Sequence, residues 1–494
     1  MRVLVRHAGL LVVIAAAAGC VDNPLFCDDK KPCAAPGATC VLHECVTGGT
    51  AADLLGSDAA LDASTTDLPV PVDSAATDDA ADLAGVDLAG SCRGNGDCAD
   101  RTRPTCDGAA HQCRPCAASI ECDSLVCNDD GTCAAVGDVV YTDNQGGRCA
   151  GANHAGTRAD PVCEVADAVP LANARRGLIH VAGSTQSYQP ILLTGARATL
   201  LIVGPGAAAV PAATIAGQGG SAVSLGLAVN ALARLQLDGF IVQGDANSSA
   251  PVVGCVGRTT NLRAASIRLR RVRVLGGGGG VSAIACTVTV EDSTVRDSRG
   301  DGIAVSGALT VRRASVLANQ GAGVKLTAPG AGASSSYELT NDIIGDNKGG
   351  GVDVEDASGA GTFSFNTVFN NGRNGVSCGG VFFNAMGDTM HLENSIVWGN
   401  QINNASQVCG CSFSQVVINE MNLPNAVYLD QSPDFVDYRG MNYRLKPASL
   451  VNRAYLVDKV LPSDGGVAAL IADDIDGTAR PQGKGWDIGA HEVE

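Results

Sequence analysis

From Leu237 to Met421 the chain repeats one short pattern of apolar and polar positions. The segments are LDGFIVQGD from Leu237, LRRVRVLGG from Leu269, VEDSTVRDS from Val290 and VRRASVLAN from Val311. They continue as LTNDIIGDN from Leu339, FSFNTVFNN from Phe363, LENSIVWGN from Leu392 and FSQVVINEM from Phe413. The first position is always large and apolar. The sixth is Val242, Val274, Val295, Val316, Ile344, Val368, Val397 and Ile418. The ninth is Asn in four consecutive segments, at Asn319, Asn347, Asn371 and Asn400. Successive starts lie 32, 21, 21, 28, 24, 29 and 21 residues apart, a unit of 21 that accepts insertions in its loops.

Within each unit strand-type residues alternate, and Gly and Asn then break the chain. GDGI (300–303), GAGV (321–324) and GGGV (349–352) each begin another short strand. The pattern predicts an all-β fold, a right-handed parallel β-helix in which each winding stacks on the last at about 4.8 Å. β-Branched residues suit such an inner column. An Asn at a bend tolerates the left-handed conformation, and its amide can bond to the next Asn along the stack. A leucine-rich solenoid would need Leu at several fixed positions per repeat, which these units lack.

A stack needs closed ends. DPVCEVADAVPLANARRG (160–177) predicts an N-terminal capping helix, with Asp160 as its cap, Pro161 in its first turn, Pro170 as a kink and Gly177 at its end. The β-helix with this cap is placed at 138–424 and a C-terminal tail region at 425–494.

Upstream the pattern changes to cysteine. The chain of 494 residues has 20 Cys. Twelve fall into three small units: Cys27, Cys33, Cys40 and Cys45; Cys92, Cys98, Cys106 and Cys113; and Cys116, Cys122, Cys127 and Cys133. Units so short cannot bury a core, so disulfides hold them, as in an oxidising compartment. CRPC (113–116) has a zinc-type spacing but no matching second pair. The modules span 21–45 and 92–137, and the pairing within each stays open. Between them, 46–91 holds nine Asp and no Lys, Arg or Glu, the composition of a disordered tether. In the β-helix segment Cys149 with Cys163 and Cys255 with Cys286 are candidate pairs, and Cys378 can meet Cys409 or Cys411.

The first twenty residues, MRVLVRHAGLLVVIAAAAGC, have two Arg and an apolar run too short to span a bilayer, the form of an export signal. Their end, AAGC, resembles a bacterial lipobox, which implies lipid attachment at Cys20 and, with Val21 following, sorting to the outer membrane. Losing Arg2 and Arg6 moves the net charge from −17 to about −19. That acidity argues against nucleic acid and against direct adsorption to anionic lipid, leaving the acyl anchor as the membrane contact.

The modules from 92 to 133 resemble short Cys-rich repeats of exported proteins from predatory and fruiting soil bacteria. VVYTDNQGG to IHVAGSTQSY resembles the opening of pectate-lyase-like β-helix surface proteins. The end, with DIDGTARP and DIGAHE, resembles the tail of the choice-of-anchor Q proteins. The last two resemblances cover about 138–494 and imply a surface protein that binds glycan or, alternatively, a polysaccharide lyase or hydrolase.

Candidate chemistry is sparse. Asp297 and Asp346 share the eighth position two windings apart, roughly 10 Å, with Arg299 and Lys348 nearby. A solvated charged edge is the preferred reading of them. DDIDG (473–477) reads as a structural turn before a metal cluster, and RGD (299–301) as a chance match at a Gly-rich bend. His391 and His491 stand alone, without a nucleophile–base pattern. The expectation is a monomeric, non-catalytic glycan- or surface-binding lipoprotein with no cofactor and no metal.

Overall fold

The structure is a computed structural model. It describes the backbone of 38–41 and 44–47, and residues 92–493 apart from 93, 99, 101, 146–153, 174–176, 195–197, 227–232, 259–264, 328–334, 356–360, 379–389, 401–410, 420–424 and 462–470. The signal segment with Cys20, Cys27, Cys33, the 46–91 tether, Cys149 and Cys409 lie outside the described residues, as do the side chains of Cys40, Cys45, Cys378 and Cys411. Met1–Ala89 and Gly90–Glu494 are separate units. In the first, Ala38–Val41 and Glu44–Thr47 pair antiparallel, with Cys40 opposite Cys45.

The second unit is a parallel β-helix, with strands in a seventeen-stranded and a ten-stranded sheet. One winding runs Ala233–Asp238, Ile241–Gln243 and Pro251–Val256, then re-enters the first ladder at Ala265–Arg270. The repeat positions stack in register. Leu237, Leu269, Val290, Val311, Leu339, Phe363, Leu392 and Phe413 follow one another up the first ladder. Val242, Val274, Val295, Val316, Ile344, Val368, Val397 and Ile418 do so in the second. All eight of the latter are 0% exposed. Each such side chain contributes about 1.5–3 kcal/mol by leaving water, which makes the column the main adhesive between windings.

Polar ladders run beside the apolar ones. Asn319 donates its backbone N–H and its amide to Oδ1 of Asn347, at 3.1 and 2.9 Å. Asn347 does the same to Asn371, and Asn371 to Asn400. Asn347 and Asn371 also donate to the carbonyls of Val316 and Ile344. Buried amides are tolerable here because their hydrogen bonds are met by the next rung. The fourth repeat position builds a second ladder: Ala314 N–H to Asp342, Asp342 N–H to Asn366, and Asn366 N–H to Ser395.

The left-handed residue is not the ninth-position Asn. It is the third position of every segment, namely Gly239, Arg271, Asp292, Arg313, Asn341, Phe365, Asn394 and Gln415. It recurs at the eighth in Gly276, Asp297, Ala318, Asp346, Asn370 and Gly399. A single residue at positive φ turns one strand into the next, so the Asn after it is free to point inward along the stack.

The N-terminal helix, α1 (Val165–Asn173), is shorter than the sequence pattern predicts. Asp160 does not cap it; that carboxylate accepts from Ala155 N–H and lies 2.7 Å from His154 Nδ1. Gly177 ends the segment at φ +76°, its N–H bonded to Ala172. The module 116–133 is no free spacer: Val126 packs with Val139, Tyr141 and Val203, and Asp129 pairs with Arg268 at 2.7 Å.

The tail folds back over the second ladder. Its Leu429, Phe435, Tyr443, Leu445, Leu456, Val460 and Ile488 form a second core with outward residues Leu317, Ile343, Phe369, Ile396, Trp398 and Val417. α2 (Leu450–Tyr455) starts on Ser449, whose side chain accepts from Asn452 N–H. Gly345 makes room for the seated tail, since a Cβ there would lie 2.7 Å from the Tyr443 ring.

Candidate functional site

Where the tail stops covering the coils, a cleft of about 470 Å³ opens between them. The coil side is Asp292, Ser293, Thr294, Arg313, Ser315 and Ile343, from third to fifth repeat positions. Tyr443, Arg444, Asp473 and Asp476 come from the tail.

Arg313 organises the cleft. Its Nε donates to Asp292 at 2.6 Å, and its Nη1 to the two oxygens of Asp473 at 3.0 and 3.1 Å. Hydrogen bonding to Asp292 raises the Arg313 pKa further above its ordinary value, overcoming partial burial. Arg444 Nε donates to Asp476 at 2.6 Å. Side-chain hydrogen bonds to Asp476 likewise raise its pKa. Fork-shaped pairs of this kind fix both partners in direction as well as charge. The cleft thus presents carboxylate oxygens and guanidinium N–H groups at fixed positions beside apolar Ile343 and Ile475.

DDIDG forms the cleft's tail wall through a turn. Asp474 is fully buried and accepts from the N–H groups of Asp476, Thr478 and Glu492, at 2.8, 2.8 and 2.9 Å. Ligand atoms of Asp474, Asp476 and His491 lie within 4.8 Å of one another. With Asp474 filled by backbone donors and Asp476 held by Arg444, that set is engaged in holding the turn. Burial lowers the His491 pKa, which opposes a charged imidazole there. DIDGTARP and DIGAHE meet at Arg480, which donates to the carbonyls of Asp487 and Gly489 at 3.0 and 2.8 Å. Its guanidinium lies 4.7 Å from the ring centre of Phe365 on the coils. The two tail motifs are therefore a clasp.

Asp297 and Asp346 do not form a pair. Asp297 is exposed and bound to its neighbour Arg296 at 2.7 Å. Asp346 lies under the tail, where it accepts from the Tyr443 hydroxyl and from Asn370 Nδ2. Burial, then that hydrogen bond, pushes the Tyr443 hydroxyl above its usual pKa. Arg299 donates to the Ser248 carbonyl, and Asp301 accepts from Ala322 N–H at 2.7 Å, so RGD is folded into the bend. Lys348 is exposed.

Disulfides join Cys92 to Cys106, Cys98 to Cys113, Cys116 to Cys127 and Cys122 to Cys133, first to third and second to fourth in both of these modules. The CRPC cysteines thus belong to different modules. Cys255 is bonded to Cys286 across adjacent windings, and Cys163 is in a disulfide.

His391 is not alone. Its Nδ1 lies 2.7 Å from Ser412 Oγ and its Nε2 lies 2.9 Å from Glu393 Oε1. Sequence spacing hides this, because Ser412 is 21 residues away, one winding on. The repeat register carries the signal, since first positions Leu392 and Phe413 bring their preceding residues together.

The fold class is thus a right-handed parallel β-helix. A family model described as right handed beta helix region matches residues 259–421. No curated protein matches the chain. Among solved structures it is similar to pectate lyase Pel9A, at 14% identity over 72% of this chain and 96% of that one, with a TM-score of 0.37. It is also similar to the A-module of mannuronan C-5 epimerase AlgE4 from Azotobacter vinelandii, at 15% identity over 51% and 71%, with a TM-score of 0.29.

Proposed function

We propose that the protein is a surface-displayed lipoprotein whose β-helix holds a glycan in the cleft between coils and tail, without cleaving the chain. One observation carries this reading: Asp292 and Asp473 are both bound to Arg313, and Asp476 to Arg444. Carboxylate oxygens held in place by guanidinium N–H groups keep further lone pairs with which to accept sugar hydroxyls. The guanidinium edges donate in turn. Arg273, in register with the cleft residue Thr294, is exposed and has no ion pair among the described residues, so it can reach a carboxylate on an acidic sugar. The lipobox-like AAGC supports an acyl anchor at Cys20, and the choice-of-anchor Q resemblance of the tail supports display at the cell surface.

The test incubates the full chain with acidic and neutral polysaccharides and scores both retention and new reducing or unsaturated ends. Retention without new ends, weakened by Arg313→Ala and by Arg273→Ala, is the expected result. Arg273→Ala is the cleaner variant because its exposed side chain has no ion pair or side-chain hydrogen bond among the described residues. Release of ends that stops with Asp297→Ala would replace this reading with the lyase or hydrolase alternative.

A further inference from the structure

The outer face of the first ladder, away from the cleft, carries a different chemistry. On Met390–Glu393 the side chains of Met390 and Leu392 are buried, which turns His391 and Glu393 outward. Ser412 faces the same way on the next rung, directly in register with His391. Glu393 lies 2.9 Å from His391 Nε2 and His391 Nδ1 lies 2.7 Å from Ser412 Oγ. A carboxylate this close to Nε2 favours the tautomer with its hydrogen on that nitrogen, which leaves a lone pair on Nδ1. That lone pair points at the Ser412 hydroxyl. Nucleophile, base and orienting carboxylate are recognised by such geometry, whatever their order in the chain.

We propose that Ser412, His391 and Glu393 form a hydrolytic site for ester groups projecting from a large substrate, such as an O-acylated polymer. The side chains of His391 and Glu393 are 43% and 25% exposed, so a bulky chain can lie across them. An open face excludes little water, which suits an ester, whose carbonyl is more electrophilic than that of an amide. Ser412 Oγ bonds to the ester carbonyl carbon as its proton passes to His391 Nδ1. The Glu393 carboxylate holds the resulting imidazolium through Nε2–H. The carbon–oxygen bond to the alcohol breaks, and that alcohol leaves with the proton from Nδ1. Water, giving a proton to the same nitrogen, then adds to the acyl-serine. Collapse releases the carboxylic acid and restores the Ser412 hydroxyl. The proposal is independent of the cleft, and either reading can fail without the other.

The full chain is treated with a fluorophosphonate, which phosphonylates activated serines, and the modified peptide is mapped by mass spectrometry. p-Nitrophenyl acetate supplies the second readout, as release of nitrophenolate and as acetyl mass on Ser412. The expected result is modification at Ser412, lost in Ser412→Ala and in His391→Ala and slowed on the order of 100-fold or more in Glu393→Gln. Ser414→Ala, on the same strand, keeps the wild-type rate and controls for folding. Modification no faster than in Ser412→Ala, or acetyl transfer to other residues only, would reduce the three side chains to a polar cross-strand contact and overturn the proposal.

Discussion

The second ladder has two halves with the same inside and different outsides. Inward, Val242, Val274 and Val295 continue into Val316, Ile344, Val368 and Val397 without a break. Outward, the early rungs carry Ile241, Gln243, Arg273, Leu275, Thr294 and Arg296, none of them buried. The later rungs carry Leu317, Ile343, Phe369, Ile396, Trp398 and Val417, all buried under the tail. The inner column decides that windings stack. The outer positions decide what is laid over them, and the cleft lies at the step between the two halves.

The largest effect is expected where both halves depend on one feature. Asn347→Leu takes the acceptor away from the N–H and amide of Asn319 and one of two donors away from Asn371, all in a buried ladder. It should cost about 3 kcal/mol or more and shift chemical denaturation of bare and covered coils together. Next comes Phe369→Ala, which removes a ring 4.6 Å from Phe435 and 5.2 Å from Tyr443. A loss of about 3–4 kcal/mol is expected, felt first as faster proteolysis within 425–493 while the early windings stay protected.

A pH effect should follow the same division. Burial, then the charge of Glu492, raises the Asp487 pKa from 3.8 to about 7. The folded tail therefore keeps a proton that the unfolded chain gives up. Its stability is greatest below the unfolded value, falls as pH rises from about 4 to about 7, and is level above that. Hydrogen exchange in the tail should report a fall of about 4 kcal/mol across this window, reduced in Asp487→Asn, where Glu492, also raised by burial, remains. The smallest effect is Leu275→Ala on the bare half, within about 0.5 kcal/mol by thermal melting. A loss there as large as at Phe369 would mean that the early rungs are covered too.

How much of this was legible in the sequence depends on the kind of position. The sixth-position Val and Ile and the ninth-position Asn mark the stack directly, because each meets its own kind one winding away. The third-position bend was illegible: Arg271, Asp292, Phe365 and Asn394 share a backbone conformation but no side-chain chemistry. The fourth-position ladder of Ser293, Asp342, Asn366 and Ser395 was legible by phase but is masked by Phe240, Val272, Ala314 and Val416 at the same position. The site was harder. Asp297 and Asp346 share a phase, yet the tail claims one of them through Tyr443, a contact 97 residues distant. Arg313 and Asp473 are 160 residues apart, and only the folded tail brings them together.

The apolar outer stripe from Leu317 to Val417 has a consequence for synthesis. The chain is made from its N-terminus, so the stripe exists before the residues that cover it. A polypeptide cut short near Asn425 retains every winding that supplies the stripe but nothing to shield it. Such fragments are expected to stick to one another along that flank, and the last residues made thereby decide whether the product stays dispersed.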